Sequence, residues 1–391
     1  MWPLSMGSLK GAMVRHLIFG MGSMLPLLLS AQVDTSASVF GKGIRVVARD
    51  SSFYMQFRFR MQPNYTGFYT EGVNGSDGEY IERWSIRRSR LKLDGWAFTT
   101  KLVYKFEYDL VGNYIRDAVV KWNFAGNFKL WFGQAKLPGN FQRVVSSQSM
   151  QLVDRSLTNN QFNIDRDVGV QLHHTFKVGV SKFNWAACYS QGDGIIYQGP
   201  STGGDITARF EALPLGPFTN KGDQYEADLA REKRLKMLVG ATYDRNMHAF
   251  QDRGQWGRIL DEERDLESWF VDVMAKYRGV FLLLEYAQKH AVNGSPAIVD
   301  SSGTVTASFI TGSGYNIQGG YLFKSNWEVS GRYSTYEPDA RNDRPPRTES
   351  TVGVSRYILG HNLKVQMDAS VLTELGQPDE LRGRLQMELA F

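Results

Sequence analysis

Basic side chains recur two or four residues apart in this chain: Arg58 with Arg60, then Arg88, Arg90 and Lys92, then Lys101 and Lys105, with Lys121 further on. A spacing of two puts side chains on one face of an extended strand. Guanidinium and ammonium groups along such a face can replace part of the hydration of a passing anion. The planar arginine fork suits phosphate oxygens in particular. A second basic set, Lys136, Arg143, Arg155 and Arg166, brackets and punctuates residues 138–165, a stretch rich in Ser, Gln and Asn. The chemistry on offer is recognition of anions rather than the making or breaking of bonds.

Other chemistries lack their parts. His173 and His174 are neighbours, so on a strand they point to opposite faces and cannot chelate one ion. Asp165 and Asp167 bring two carboxylates where calcium takes about six to eight oxygens. His248, His290 and His361 have no nearby Ser that would complete a nucleophile, base and orienting group. The single cysteine, Cys188, excludes an internal disulfide. No catalytic residue, metal or cofactor is expected.

The strands that must carry these residues are legible by their alternation. Phe53, Met55, Phe57, Phe59 and Met61 alternate with Tyr54, Gln56, Arg58 and Arg60, and the same pattern recurs along the chain. It ends in Leu381, Leu385, Met387, Leu389 and Phe391 opposite Arg382, Arg384, Gln386 and Glu388. A basic residue at the bilayer midplane of a barrel costs about 2–4 kcal/mol if it faces lipid, so these charges belong inside and the apolar face outside. Mean hydropathy is −0.34, and no internal apolar run reaches the roughly 18 residues of a membrane helix. The reading is an all-β, antiparallel transmembrane barrel of about sixteen strands. Long connections are expected at 62–82, 138–165, 192–203, 245–266, 291–312, 337–347 and 372–379, and 245–266 has room for a short helix. Short turns interleave with them, apart from a long segment at 213–233 in a short slot and a short one at 111–114 in a long slot.

Residues 1–31 read as a cleaved signal peptide: Lys10, Arg15 and His16 precede an acid-free apolar stretch that ends near Ala31. Residues 32–51 form a short periplasmic lead-in, and 52–391 the barrel. The formal charge of +5 falls to +3 when Lys10 and Arg15 leave with the leader. That mild, unclustered excess gives no support to nucleic-acid binding. Lipid and small anions are the expected partners. A surface adhesin or receptor barrel, and less readily a barrel hydrolase, are the alternatives.

Five stretches carry a more specific likeness: RRSRLKLDG at 87–95, GQAKLP at 133–138, RDVGVQ at 166–171, WEVSGRY at 327–333 and GHNLK at 360–364. In this order they resemble the phosphate-selective porin O and P family of bacterial outer-membrane proteins. The resemblance implies a trimeric, sixteen-stranded barrel that passes anions, phosphate among them, through a funnel lined with basic residues. It further implies a long loop after strand five folded into the lumen, which would put Lys136, Arg143, Arg155 and Arg166 at a constriction. Arg58, Arg60, Arg88, Arg90, Lys92, Lys101, Lys105 and Lys121 would then line the wall.

Overall fold

The computed structural model describes residues 32–33, 40–72, 77–197, 199, 201, 203–342 and 344–391; the expected leader at 1–31 lies outside them. Sixteen antiparallel strands close on themselves. In chain order they are β1 (Phe53–Thr70), β2 (Glu79–Ala97), β3 (Thr99–Asp109), β4 (Tyr114–Ala125), β5 (Phe128–Lys136), β6 (Arg166–Val178), β7 (Ser181–Ser190) and β8 (Gly204–Leu213). The second half comprises β9 (Lys236–Gln251), β10 (Ile259–Tyr277), β11 (Val280–Ala291), β12 (Gly312–Leu322), β13 (Trp327–Pro338), β14 (Arg347–Leu359), β15 (Leu363–Glu374) and β16 (Glu380–Ala390).

Closure joins β16 to β1 in a register running from Glu380 opposite Thr70 to Ala390 opposite Arg60. Phe391 extends the seam by exchanging two backbone hydrogen bonds with Phe59, at 2.8 and 2.9 Å. Below that point the edge of β1 would stand bare, and part of the lead-in covers it. A short strand, Ile44–Val47, pairs with Tyr54–Phe57. Unpaired strand edges are unfavourable in a membrane and invite aggregation in water.

The alternation read from sequence is the alternation of burial. On β11, Val280, Leu282, Leu284 and Tyr286 are exposed on the outer face, while Phe281, Leu283, Glu285, Ala287 and Lys289 are buried within. On β16, Leu381, Leu385 and Met387 are outside, and Arg384, Gln386 and Glu388 are inside. Large apolar side chains in a continuous outer band are what lipid contact requires.

The connections differ from expectation in three places. Residues 62–82 are mostly strand, because β1 and β2 run on as a hairpin past the expected ends. Residues 245–266 contain no helix; β9 and β10 continue to Gln251 and from Ile259. In both cases a polar extension of a strand reads as loop in sequence; beyond Asn246 the β9–β10 ladder is irregular and pairs only Ala249 with Arg264 and Gln251 with Ile259. The long segment 214–235, anomalous in a short slot, turns back on the barrel. Glu226 accepts from Gln318 Nε2 on β12 at 2.9 Å, and Lys276 on β10 donates to the carbonyls of Gly222 and Tyr225, both at 2.7 Å.

If the outer face meets lipid, Leu284→Arg should destabilise the barrel by about 2–4 kcal/mol. Denaturant titration of protein refolded into liposomes measures this, and an unchanged midpoint would contradict the assigned face.

Candidate functional site

Residues 137–165 connect β5 and β6, yet their contacts lie on strands far around the barrel. Pro138 stops the strand. A single helical turn follows, α1 (Phe141–Val144), then a 3-10 turn over Ser147–Ser149, then α2 (Leu157–Phe162). Ser156 caps α2 by accepting from the amide of Asn159 at 3.1 Å, which satisfies one of the amides a helix start leaves without a partner.

Anchors run the length of the segment. Glu285 on β11 accepts from Asn140 Nδ2 and from the amide of Gln142, each at 2.9 Å. Gln151 Nε2 donates to Glu328 on β13 at 2.7 Å, the amide of Val153 to Asp368 on β15 at 3.0 Å, and Lys364 Nζ to the carbonyl of Met150 at 2.6 Å. Phe141 and Val145 pack with Leu238, Met274, Phe281 and Leu283. Leu157 and Phe162 pack with Phe270, Ala287 and Tyr336. Two wall glycines permit this close approach: a Cβ on Gly320 would lie 2.2 Å from Gln151 Nε2, and one on Gly353 would lie 2.4 Å from Leu152 Cδ2.

These contacts fill the side of the barrel formed by β10–β15. Open space lies mainly along β2–β8 and reaches β14–β16 at its outer end, in three parts that share lining residues. An outer cavity of about 540 Å³ is lined by Arg87, Arg88, Arg90, Arg116, Arg382 and Arg384 among others. A narrow part of about 160 Å³ is lined by Arg90, Lys105, Arg116, Lys136, Arg143, Arg155 and Arg166, with Glu107 its only acid. An inner cavity of about 620 Å³ continues past Lys105, Lys121 and Lys136 to Trp131 and His173. The outer and narrow parts share Arg90, Arg116, Arg143, Arg155 and Arg166, and the narrow and inner parts share Lys105 and Lys136.

The carboxylates near the narrow part are engaged by its bases. Arg166 Nε meets Asp117 at 2.9 Å, Lys105 meets the same carboxylate at 2.7 Å, and Arg90 bridges Glu107 at 3.0 Å and Asp109 at 3.3 Å. Arg143 pairs with Asp165. Lys136 spends its three N–H bonds on the carbonyls of Arg143, Val144 and Val145 at 2.8–3.1 Å. Arg155 donates to the carbonyls of Gln142 and Val145, both at 2.9 Å. Among the described residues, neither Lys136 nor Arg155 has a carboxylate within ion-pair distance. Burial, together with Arg143 and Arg88, holds the Arg155 guanidinium well below its ordinary pKa. Desolvation disfavours the charged form, and the neighbouring guanidinium groups add to it.

A family model for the phosphate-selective porin O and P proteins matches residues 55–377. The chain belongs to that family. Among solved structures, this porin superposes on the outer membrane channel DcaP of Acinetobacter baumannii with a TM-score of 0.52 at 13% identity, covering 88% of this chain and 99% of that one. It superposes on the trimer form of OmpT from Vibrio cholerae with a TM-score of 0.50 at 12% identity, covering 87% and 100%. At such identities the likeness is one of fold. A search of curated protein sequences returned no match. Family and barrel together give an outer-membrane porin.

The basic residues expected on the porin's path divide. Arg88, Arg90, Lys105 and Lys121 border the open space, as do Lys136, Arg143, Arg155 and Arg166. Arg60 does not: it is 1% exposed, held by Glu388 at 3.0 Å and by Ser147 at 3.2 Å. Arg58 pairs with Asp94, and Arg58 and Lys92, with Arg60, border a small separate space of about 30 Å³ near Phe391. Lys101 is exposed near the turn end of β3 and borders none of these spaces.

Sequence periodicity also missed two arginines that border the open space, Arg87 and Arg116. Each is the extra residue of a β-bulge. Gln62 pairs with Arg88 and Pro63 with Ile86, leaving Arg87 over; Glu107 pairs with Asp117 and Tyr108 with Ile115, leaving Arg116 over. A bulge breaks the period of two and lets consecutive residues share a face. Arg87 and Arg88 thus both reach Asp154, at 3.1 and 3.3 Å, and Arg116 reaches Asp109 at 3.4 Å. The available signal was a pair of adjacent charged residues, one of which strict alternation would have sent into lipid.

Burial disfavours the Asp154 anion, but Arg87, Arg88 and Arg384 outweigh it and hold its pKa below the ordinary carboxylate value. Arg143 and Arg166 likewise overcome the burial of Asp165. With folded pKa values depressed, both pairings are present above the ordinary carboxylate range and are lost only as pH falls through the lowered values. Single-channel conductance should therefore keep one level from pH 7 to about pH 4. Asp154→Asn should show noisier or larger steps already at pH 7, and a quiet, unchanged trace from that variant would remove Asp154 as a pin.

Proposed function

We propose that this porin conducts small hydrophilic solutes passively down their gradients and prefers anions, phosphate and polyphosphate among them. In this reading, 137–165 is the segment that narrows the lumen, a role supported by its anchors on β10–β15. The observation that carries the preference is the composition of the narrow part: seven basic side chains against Glu107 alone. Low dielectric walls strengthen such a field, so a cation meets a barrier where an anion meets a well.

Conduction also requires that no site hold its ion too tightly. Asp117, Asp165, Asp109 and Glu107 temper the ring by pairing with its members. Several partly neutralised stations in series allow an anion to enter one and be displaced to the next. Lys136, whose three N–H bonds go to backbone carbonyls, fixes the end of α1 and adds charge at a distance. The expected signal peptide and a trimeric assembly fit the same reading.

Planar-bilayer recording in a potassium chloride gradient tests it. The reversal potential should lie toward chloride. Replacing Arg143 and Arg155 together by Glu should lower the chloride-to-potassium permeability ratio by about ten-fold or more, as moving like charges into the narrowest part demands. Potassium preference in the native protein would overturn the reading and leave the barrel untouched.

A further inference from the structure

The path has a feature that inorganic anions do not use. Both wide parts carry apolar or aromatic surface beside their basic groups. In the outer cavity Ile195, Ile196 and Trp256 stand on the two outer connections 191–203 and 252–258, and Ile196 is 75% exposed. In the inner cavity the Trp131 ring stacks on His173 at 4.1 Å between centroids, and Lys121 Nζ lies 3.6 Å over the same indole. The narrow part between them has Val144 as its one apolar lining residue.

Water-facing Ile and Trp beside a strongly charged channel cost free energy that a hydrated phosphate ion cannot recover, since it needs donors on every side. A solute with an anionic group and a flat apolar body recovers it. Its charged end meets the arginines while its ring packs on Ile196 and on the part of Trp256 that Arg253, 4.3 Å over the indole, leaves uncovered at the outer mouth, then on the edge of Trp131, whose faces carry His173 and Lys121, at the inner one. An indole edge meeting a ring face is one of the tilted arrangements aromatic pairs favour, and it is tolerant of ring identity.

We infer that this porin takes organic anions, of the class of aromatic carboxylates and phosphate monoesters, in preference to inorganic anions of equal charge. The inference rests on the anion preference proposed above and adds the apolar body of the solute. The outer cavity holds such a molecule in size: about 540 Å³ accommodates a ring and its charged group with water to spare.

The test compares phenyl phosphate with inorganic phosphate, at about pH 9 where both are dianions, as blockers of chloride current through the native, full-length protein in a planar bilayer. Phenyl phosphate added to the long-loop side should half-block at a concentration roughly ten-fold lower. Ile196→Ser with Trp256→Ser should erase most of that difference from the outer side. Trp131→Ser should reduce it when the blocker enters from the short-turn side. In each variant the potassium chloride reversal potential is recorded first, which reports folding and anion preference independently of the ring. Equal block by the two phosphates, or a difference that survives all three substitutions, would overturn the inference while a chloride-directed reversal potential leaves the anion porin standing. A potassium-directed reversal potential would sink the earlier reading instead.

Discussion

A backbone crossing hydrocarbon has no water to satisfy its amides and carbonyls, and this requirement governs the rest of the molecule. Sheet closure answers it here. β16 returns to β1, Phe391 adds a final pair of hydrogen bonds at Phe59, and the lead-in strand covers the edge that remains. Once the wall is closed, each residue has only two directions available. Apolar side chains such as Leu282 and Leu284 go outward, and charged ones such as Glu285 and Lys289 go inward. A lumen filled with paired charge is thus a consequence of closure before it is a device for transport.

Function arises from how that charge is distributed. On the β10–β15 side, carboxylates such as Glu285, Glu328 and Asp368 receive hydrogen bonds from residues 137–165 and fix its course. Segment 214–235 joins them, with the amide of Glu226 donating to the carbonyl of Ser149 at 2.9 Å and its carboxylate accepting from the amide of Gln151 at 2.7 Å. Space is left mainly along β2–β8, where bases outnumber acids. Buried acids and bases that hold a segment in place are weak contributors to stability but strong determinants of geometry, since removing one partner leaves the other buried and alone. Segment 137–165 inherits its position from such contacts.

The two bulges show how a wall adjusts its field without changing strand number. Strict alternation gives a strand one inward residue in two. Adding Arg87 to β2 and Arg116 to β4 raises that density locally, where the path is bordered by Arg88, Arg90 and Asp117. Pro63, opposite the first bulge, has no amide to donate, so the break in the ladder falls where a donor is already missing.

Much of the fold was written in the sequence. Period-two alternation set the strand number, the inward face and the sites of most connections, because lipid on one side and water on the other penalise a single misplaced charge. It could not show that polar stretches at 62–70 and 259–266 remain strand, since outside the membrane either face of a hairpin tolerates polar residues. Nor could local pattern tell a lumen arginine on the path from one neutralised in the wall. Arg60 and Arg90 look alike in sequence, yet Arg60 is shut in by Glu388, a residue 328 positions away, while Arg90 borders the open space. The sequence by itself determined which residues face inward, because that depends only on neighbours along a strand. The tertiary structure decided which of them border open space, because that depends on where segments 137–165 and 214–235 make their contacts and on which distant carboxylates they leave unclaimed.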